Sequence, residues 1–262
     1  MKRMIFASLL ISMVSVGYCG GSEEKLVWCD EFDGTEVNRA DWTFELGASG
    51  WGNDELQEYT DGDNAKVKDG YLTITARKIG EEGAQERGGY TSTRIMTKDK
   101  KEFLYGRIEA RMKMPKGVGG WAAFWMLGAS FPDSVNWPLC GEIDIMEYVG
   151  FTPNIHNMAM HNGSSSGFTV NKDTVEVANA EEEFHVYGID WSEESIKFYV
   201  DSPENVAYEY RPAEYNEDTW PHNKPHFLIL NLAVGGGWGG SHGVDDTAFP
   251  MEFVIDYVRV YQ

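Results

Sequence analysis

From residue 25 to the end the chain reads as short apolar runs broken by Gly, Asn, Asp and Pro. "YLTITAR" (71–77) and "RIEARMKM" (107–114) alternate apolar and polar residues at period two. That period marks a strand with one buried face. Runs rich in β-branched and aromatic residues predict further strands over 25–32, 90–97, 121–127, 142–149, 184–192, 195–201, 226–234 and 251–261. No long helical pattern competes; "NAEEE" (179–183) predicts one helical turn. Strands so numerous and evenly spaced predict a two-sheet sandwich or a barrel. No Pro/Ser linker or internal repeat interrupts them, and the last residues, "VIDYVRVYQ", read as strand. One compact domain is expected.

The N-terminus breaks the pattern. Lys2 and Arg3 precede an apolar stretch from Met4 to Val16, and small residues follow. This is the layout of a secretory signal peptide over residues 1–20, with cleavage expected near Gly17 to Gly20 and a mature domain over 21–262. The apolar run is short for a membrane span. An extracellular or periplasmic location follows. Cys19 raises a lipoprotein signal as an alternative, although Tyr18 before it suits that poorly.

Charge narrows the partners. Lys and Arg total 22 against 42 Asp and Glu, a net charge of −20. Such a surface repels phosphate and sulfate polymers, so nucleic acid and sulfated polysaccharide are not expected partners, whereas a neutral substrate meets no penalty. Nine Trp and 13 Tyr exceed what a core needs, so some are expected to line a cleft. Cys29 and Cys140 could pair in an oxidising compartment. No Cys/His spacing resembles a zinc site.

The chemistry gathers in "GEIDIME" (141–147). On a regular strand Glu142 and Asp144 share a face and Glu147 points away. The residues between them are apolar, so one face is buried and the acids belong in a cleft rather than on an open edge. A β-bulge at Ile145–Met146 would reset the alternation and turn Glu147 onto the face of the other two. Two carboxyls flanking a sugar linkage suffice for glycoside hydrolysis, and in the retaining mode they stand about 5–5.5 Å apart.

This stretch resembles the active-site strand of glycoside hydrolase family 16. The form with the extra residue, "EIDIME", is similar to the laminarinase (endo-1,3-β-glucanase) branch; the lichenase branch lacks the inserted Met. Further similar stretches are "VWCDEFDG", "WGNDELQEYT", "YTSTRI", "YGRIEARMKMP", "GGWAAFWMLG", "WPLCGEIDIMEY", "FYVD", "LILNLAVGGGW" and "IDYVRVYQ". The resemblance implies an all-β jelly-roll of two antiparallel sheets, concanavalin A-like, with a concave groove. It also implies Glu142 as nucleophile, Glu147 as general acid/base and Asp144 as their helper.

A polysaccharide groove needs aromatic platforms and polar donors. Trp121 and Trp125 are four apart and share a strand face; core packing is the alternative for each. His161 occupies the place where laminarinases carry a His, and could hydrogen-bond Glu147 or a substrate hydroxyl. Arg94 could meet sugar hydroxyls, form a salt bridge or lower a neighbouring carboxylate's pKa. The resemblance places Asn53 and Glu55 at the groove edge and Trp238 on a Gly-rich loop. Gly239 stands where many laminarinases carry a Pro, which sets the loop's contribution apart. The Gly run lacks the Lys-Ser/Thr of a phosphate loop. Relatives often hold a calcium ion away from the groove, and the matching positions are Glu31, the Gly70 carbonyl and Asp256. That ion would be structural, and two-carboxylate chemistry needs no cofactor.

The function implied is a secreted, monomeric, retaining endo-hydrolase of neutral β-1,3-linked glucan. Mixed-linkage glucan or agarose as substrate, and a non-catalytic glucan-binding lectin on the same fold, are the alternatives.

Overall fold

The computed structural model describes residues 24–80 and 87–262. The expected leader, Cys19 with it, lies outside the described residues. No described helix is long and apolar enough to cross a membrane.

The strands follow in chain order: β1 (Leu26–Asp30), β2 (Thr43–Phe44), β3 (Gln57–Tyr59), β4 (Ala65–Lys68), β5 (Tyr71–Lys78), β6 (Tyr90–Ser92), β7 (Arg94–Met96), β8 (Glu102–Phe103) and β9 (Gly106–Lys113). The second half adds β10 (Gly120–Gly128), β11 (Glu142–Val149), β12 (Ile155–His161), β13 (Lys172–Glu176), β14 (His185–Trp191), β15 (Ile196–Val200), β16 (Val206–Tyr210), β17 (His226–Val234) and β18 (Met251–Tyr261).

They form two sheets. One runs β16-β15-β14-β9-β18-β5-β6-β3, with β1 on β18 and β4 on β5. The other runs β13-β12-β11-β10-β17-β7-β2, with β8 on β17. Described pairings are antiparallel except β3 with β6. The two sheets bury their facing side chains in one core. Ala122, Phe124 and Met126 of β10, Leu228, Leu230 and Leu232 of β17, and Ile108, Ala110 and Met112 of β9 all belong to it. Each fully buried Leu, Ile or Phe contributes about 1.5–3 kcal/mol of transfer free energy. Because strand side chains alternate, filling this core forces Trp121, Ala123, Trp125 and Leu127 of β10 onto the opposite face. That face carries the cleft.

Residues 179–183 make a single turn closed by Glu183 N–H donating to the Asn179 carbonyl. Cys29 and Cys140 are free thiols rather than the disulfide considered above.

Candidate active site

The outer face of the second sheet lines a cleft of about 600 Å³. Its floor is β10 and β11; Asn231 of β17 and Arg94 of β7 continue it, and the segment 45–55 forms one wall. Of the expected residues, Glu142, Asp144, Glu147, Trp121, Trp125, Arg94, Asn53 and Glu55 all line it.

A bulge brings the acids together. Along β10, Phe124 faces Met146 and the next residue, Trp125, faces Asp144, so Ile145 has no partner. The pairing of β11 with β12 shifts over the same stretch. Ile145 and Met146 both turn into the core. Two consecutive apolar side chains thus share the inner face, and Glu147 returns to the face of Glu142 and Asp144.

Each acid has its own partners. Trp137 Nε1–H donates to Glu142 Oε2 at 2.9 Å. Trp121 Nε1–H donates to Glu147 Oε1 at 3.1 Å. Asp144, 3% exposed, lies beside Glu142, with a carboxylate oxygen of each within 4.8 Å of the other. His161 stands opposite Glu142 in the β11–β12 register. Its Nε2 lies 3.1 Å from Asp144 Oδ2 and 3.6 Å from Glu142 Oε1. Of the two contacts considered for His161, the one with Glu147 is not made: His161 pairs with Glu142 at one end of the register, and Glu147 pairs with Asn157 at the other.

Burial and mutual repulsion hold protons on this trio. Burial first, then the Asp144 charge, pushes Glu147 up to about 8. Burial raises Asp144 to about 8 as well. Glu142 is raised well above the ordinary carboxylate range by burial and by Asp144; His161 and the Trp137 N–H oppose the rise. Three carboxylates this close cannot all be ionised at neutral pH.

Beyond the acids the cleft rests on a polar network. Arg94 is paired with Glu45 through Nε, and its guanidinium lies 4.8 Å from the Trp125 ring centre and 5.1 Å from that of Trp51. Two of the alternatives open for Arg94 are thus realised, the salt bridge and a charge that lowers the pKa of Glu55. Trp125 Nε1–H donates to Asn231 at 2.7 Å, and Asn231 donates to Tyr59. Glu55 is buried and accepts from Asn53, Gln57 and Tyr59. Burial raises its pKa, and those bonds together with Arg94 oppose the rise.

Trp238 is not among the lining residues. It packs edge-on against Trp121, ring centres 5.2 Å apart. Its Gly-rich loop is tied to the wall by the Gly237 N–H donating to the Asn53 carbonyl. A Cβ at Gly239 would lie 2.9 Å from that of Trp121 and 2.7 Å from the Gly235 carbonyl oxygen, which explains a glycine there.

Sequence reasoning missed Trp137, Trp51, Glu45 and Asn231. Trp51 and Trp137 each lie within a stretch quoted above for the resemblance, and aromatic residues outside the predicted strands are the signal that could have found them.

The calcium positions are otherwise engaged. Glu31 accepts two bonds of 2.8 Å from Arg259. Asp256 is paired with Arg111. As arranged, these carboxylates do not fit a calcium ion, which would have to displace both guanidiniums.

Comparison with known proteins gives a consistent set of likenesses. The family model described as "Glycosyl hydrolases family 16" matches residues 52–259. A beta-glucanase from Rhodothermus marinus is 42% identical over 254 residues, covering 91% of this chain and 85% of that protein. A glucan endo-1,3-beta-glucosidase A1 from Niallia circulans is 37% identical over 263 residues, which is 90% of this chain but 38% of that longer protein. The crystal structure of a laminarinase from Flavobacterium sp. UMI-01 superposes with a TM-score of 0.84 at 46% identity, covering 91% of this chain and 100% of that chain.

Proposed function

The chain belongs to glycosyl hydrolase family 16 and has its jelly-roll fold; from that premise we propose that it is a retaining endo-1,3-β-glucanase acting on laminarin-type glucan. The carrying observation is the bulged strand that turns Glu142, Asp144 and Glu147 into one aromatic-walled cleft.

In this reading the resting site holds Glu147 protonated and one proton on Asp144, shared with an ionised Glu142. A Glu142 oxygen attacks the anomeric carbon while Glu147 protonates the departing glycosidic oxygen. The Glu147 carboxylate then takes a proton from water, whose oxygen displaces Glu142 and regenerates both groups. The Trp137 N–H steadies the attacking carboxylate. Trp121 and Trp125 offer flat faces to the apolar sides of the sugar rings, and Arg94 and Asn53 face the ring hydroxyls.

The test is Glu142→Gln assayed on laminarin, with the anomer released by the unmodified enzyme followed by NMR. Loss of nearly all reducing-sugar release, and β-anomer formed first, are expected. Substantial turnover by the variant, or initial α-anomer, defeats the mechanism. Laminarin, lichenan, agarose and carrageenan assayed side by side fix the substrate, with laminarin expected to lead. Secretion belongs to the same reading and rests on Lys2, Arg3 and the apolar stretch behind them. N-terminal sequencing of protein recovered outside the cell should begin between Tyr18 and Gly21.

A further inference from the structure

We propose that Glu142, Asp144 and His161 form a latent binding site for a transition-metal dication of the zinc class. The site needs no glucanase activity for its existence, although an ion there would occupy the attacking carboxylate and block it.

Three features carry the inference. One donor atom from each residue lies within 4.8 Å of the other two. The pairs that include His161 Nε2 are at 3.1 and 3.6 Å. Tetrahedral zinc with oxygen and nitrogen ligands at about 2.0–2.2 Å holds neighbouring donors about 3.3–3.6 Å apart, so modest side-chain rotations complete the set.

The second feature is an unsatisfied atom. Asp144 Oδ2 is buried without a hydrogen-bond partner and faces His161 Nε2. A buried carboxylate oxygen left so calls for a cation or a proton. Glu142 divides its two oxygens: Oε2 takes the Trp137 N–H, and Oε1 is the one nearest His161. The metal-facing oxygen is therefore the one without the indole.

The third feature is rigidity and donor type. Glu142 and His161 are direct cross-strand neighbours, and Asp144 pairs with Ala159 two residues along. All three ligands stand on paired backbone, which holds a ligand set better than a loop. One imidazole with two carboxylates suits zinc or copper and is poorly suited to calcium or magnesium, which prefer all-oxygen sites. Three protein donors leave a fourth position open toward the cleft. His185 with Asp201 forms a comparable pair elsewhere, at 3.0 Å, but among the described residues no third donor joins it.

The experiment is calorimetric titration of the full chain, cleared of metal by EDTA and dialysis, with zinc chloride. Wild-type protein and His185→Gln should show the same saturable one-to-one binding. His161→Gln and Asp144→Asn should each weaken it at least about tenfold. Circular dichroism checks that the variants fold. Cobalt(II) added to wild-type protein should give visible ligand-field bands of a four-coordinate nitrogen/oxygen site, a result independent of any variant. The proposal is overturned if zinc shows no saturable binding, if His161→Gln binds as wild type does, if His185→Gln removes the site, or if cobalt stays six-coordinate. A protein that binds zinc yet leaves laminarin untouched would sink only the glucanase reading; one that cleaves laminarin but binds no zinc would sink only the metal site.

Discussion

Trp137 places an indole N–H on the carboxylate that has to attack. That bond favours the charged form of Glu142 and opposes the rise caused by burial. Trp137→Phe keeps a ring beside His161 but removes the donor. A hydrogen bond to a charged group contributes about 1.5–3 kcal/mol, so kcat should fall at least about tenfold. Without the donor the Glu142 pKa rises, and the acid limb of kcat/KM moves to higher pH. An unchanged limb would remove Trp137 from the machinery. Asp144→Asn tests the other side. Asp144 gives up its proton over the same range near pH 8 as Glu147, and its charge then helps hold the proton on Glu147, so removing it should move the alkaline limb toward acid by about one unit. Its stability effect has a definite sign. The folded pKa of Asp144 is about 8 against an ordinary 3.8; this contribution is full below 3.8 and is lost as pH rises through 8. Asp144→Asn should therefore gain on wild type by up to about 5 kcal/mol at pH 9, or about 10–20 °C in melting temperature, and show little difference at pH 4. Equal gains at both pH values would deny the buried charge. The three acids were legible in the sequence because apolar neighbours betray a buried face. The partner of His161 was not, because cross-strand register is a property of two strands and "IHNMAMH" does not alternate in a way that announces one of them.

At the scale of elements, the active strand solves a phase problem. Glu147 lies five positions after Glu142, an odd number, and the unpaired Ile145 restores the face. Deleting Met146 would leave "EIDIE", in which period two alone puts all three acids in phase. That variant should melt lower, having lost a buried Met, but should keep the acids on the cleft and still cleave glucan. Deleting Ile143 instead puts Glu142 and Asp144 on opposite faces, and activity should vanish. Comparing the two deletions on laminarin checks the bulge directly; equal loss in both would mean that facing is not what matters. Ten strand-bearing stretches were visible as apolar runs, and 226–234 and 251–261 match β17 and β18 residue for residue. The expected run 90–97 is two strands, because Thr93 leaves one sheet's pairing before Arg94 joins the other. Strands β2, β3 and β8 are two or three residues long, and no periodicity survives at that length. Strand β12 was missed because His156 and Asn157 read as polar, yet His156 is buried between the sheets on Tyr187.

Taken whole, the molecule buries ionisable groups of opposite tendency, and these bound its pH range from both sides. The acids of the cleft lose stability as pH rises. His222 and His226 do the reverse. They are fully buried, with His222 Nδ1 3.3 Å from His226 Nε2. Facing them are Trp191 of β14, Tyr210 of β16, Trp220 and the backbone of Gly141. No carboxylate accompanies these contacts. His226 Nδ1–H donates to the Lys224 carbonyl, so its Nε2 must accept and His222 Nδ1–H must donate. The network is complete with both rings neutral, and a further proton would fall on His222 Nε2, which is buried without a partner. Burial accordingly holds His226 down to about 4 and His222 well below 6.5. A depressed histidine stabilises fully above 6.5, and that contribution is lost as pH falls toward the folded pKa. For His226 the loss at pH 5 is about 2 kcal/mol. His226→Phe gives up the bonds of one ring at every pH but escapes this term. Its melting temperature should thus fall less than that of wild type between pH 8 and pH 5, by about 4–8 °C. Parallel melting curves across that interval would mean that the histidine pair does not set the acid limit, and that the carboxylates of the −20 surface set it instead.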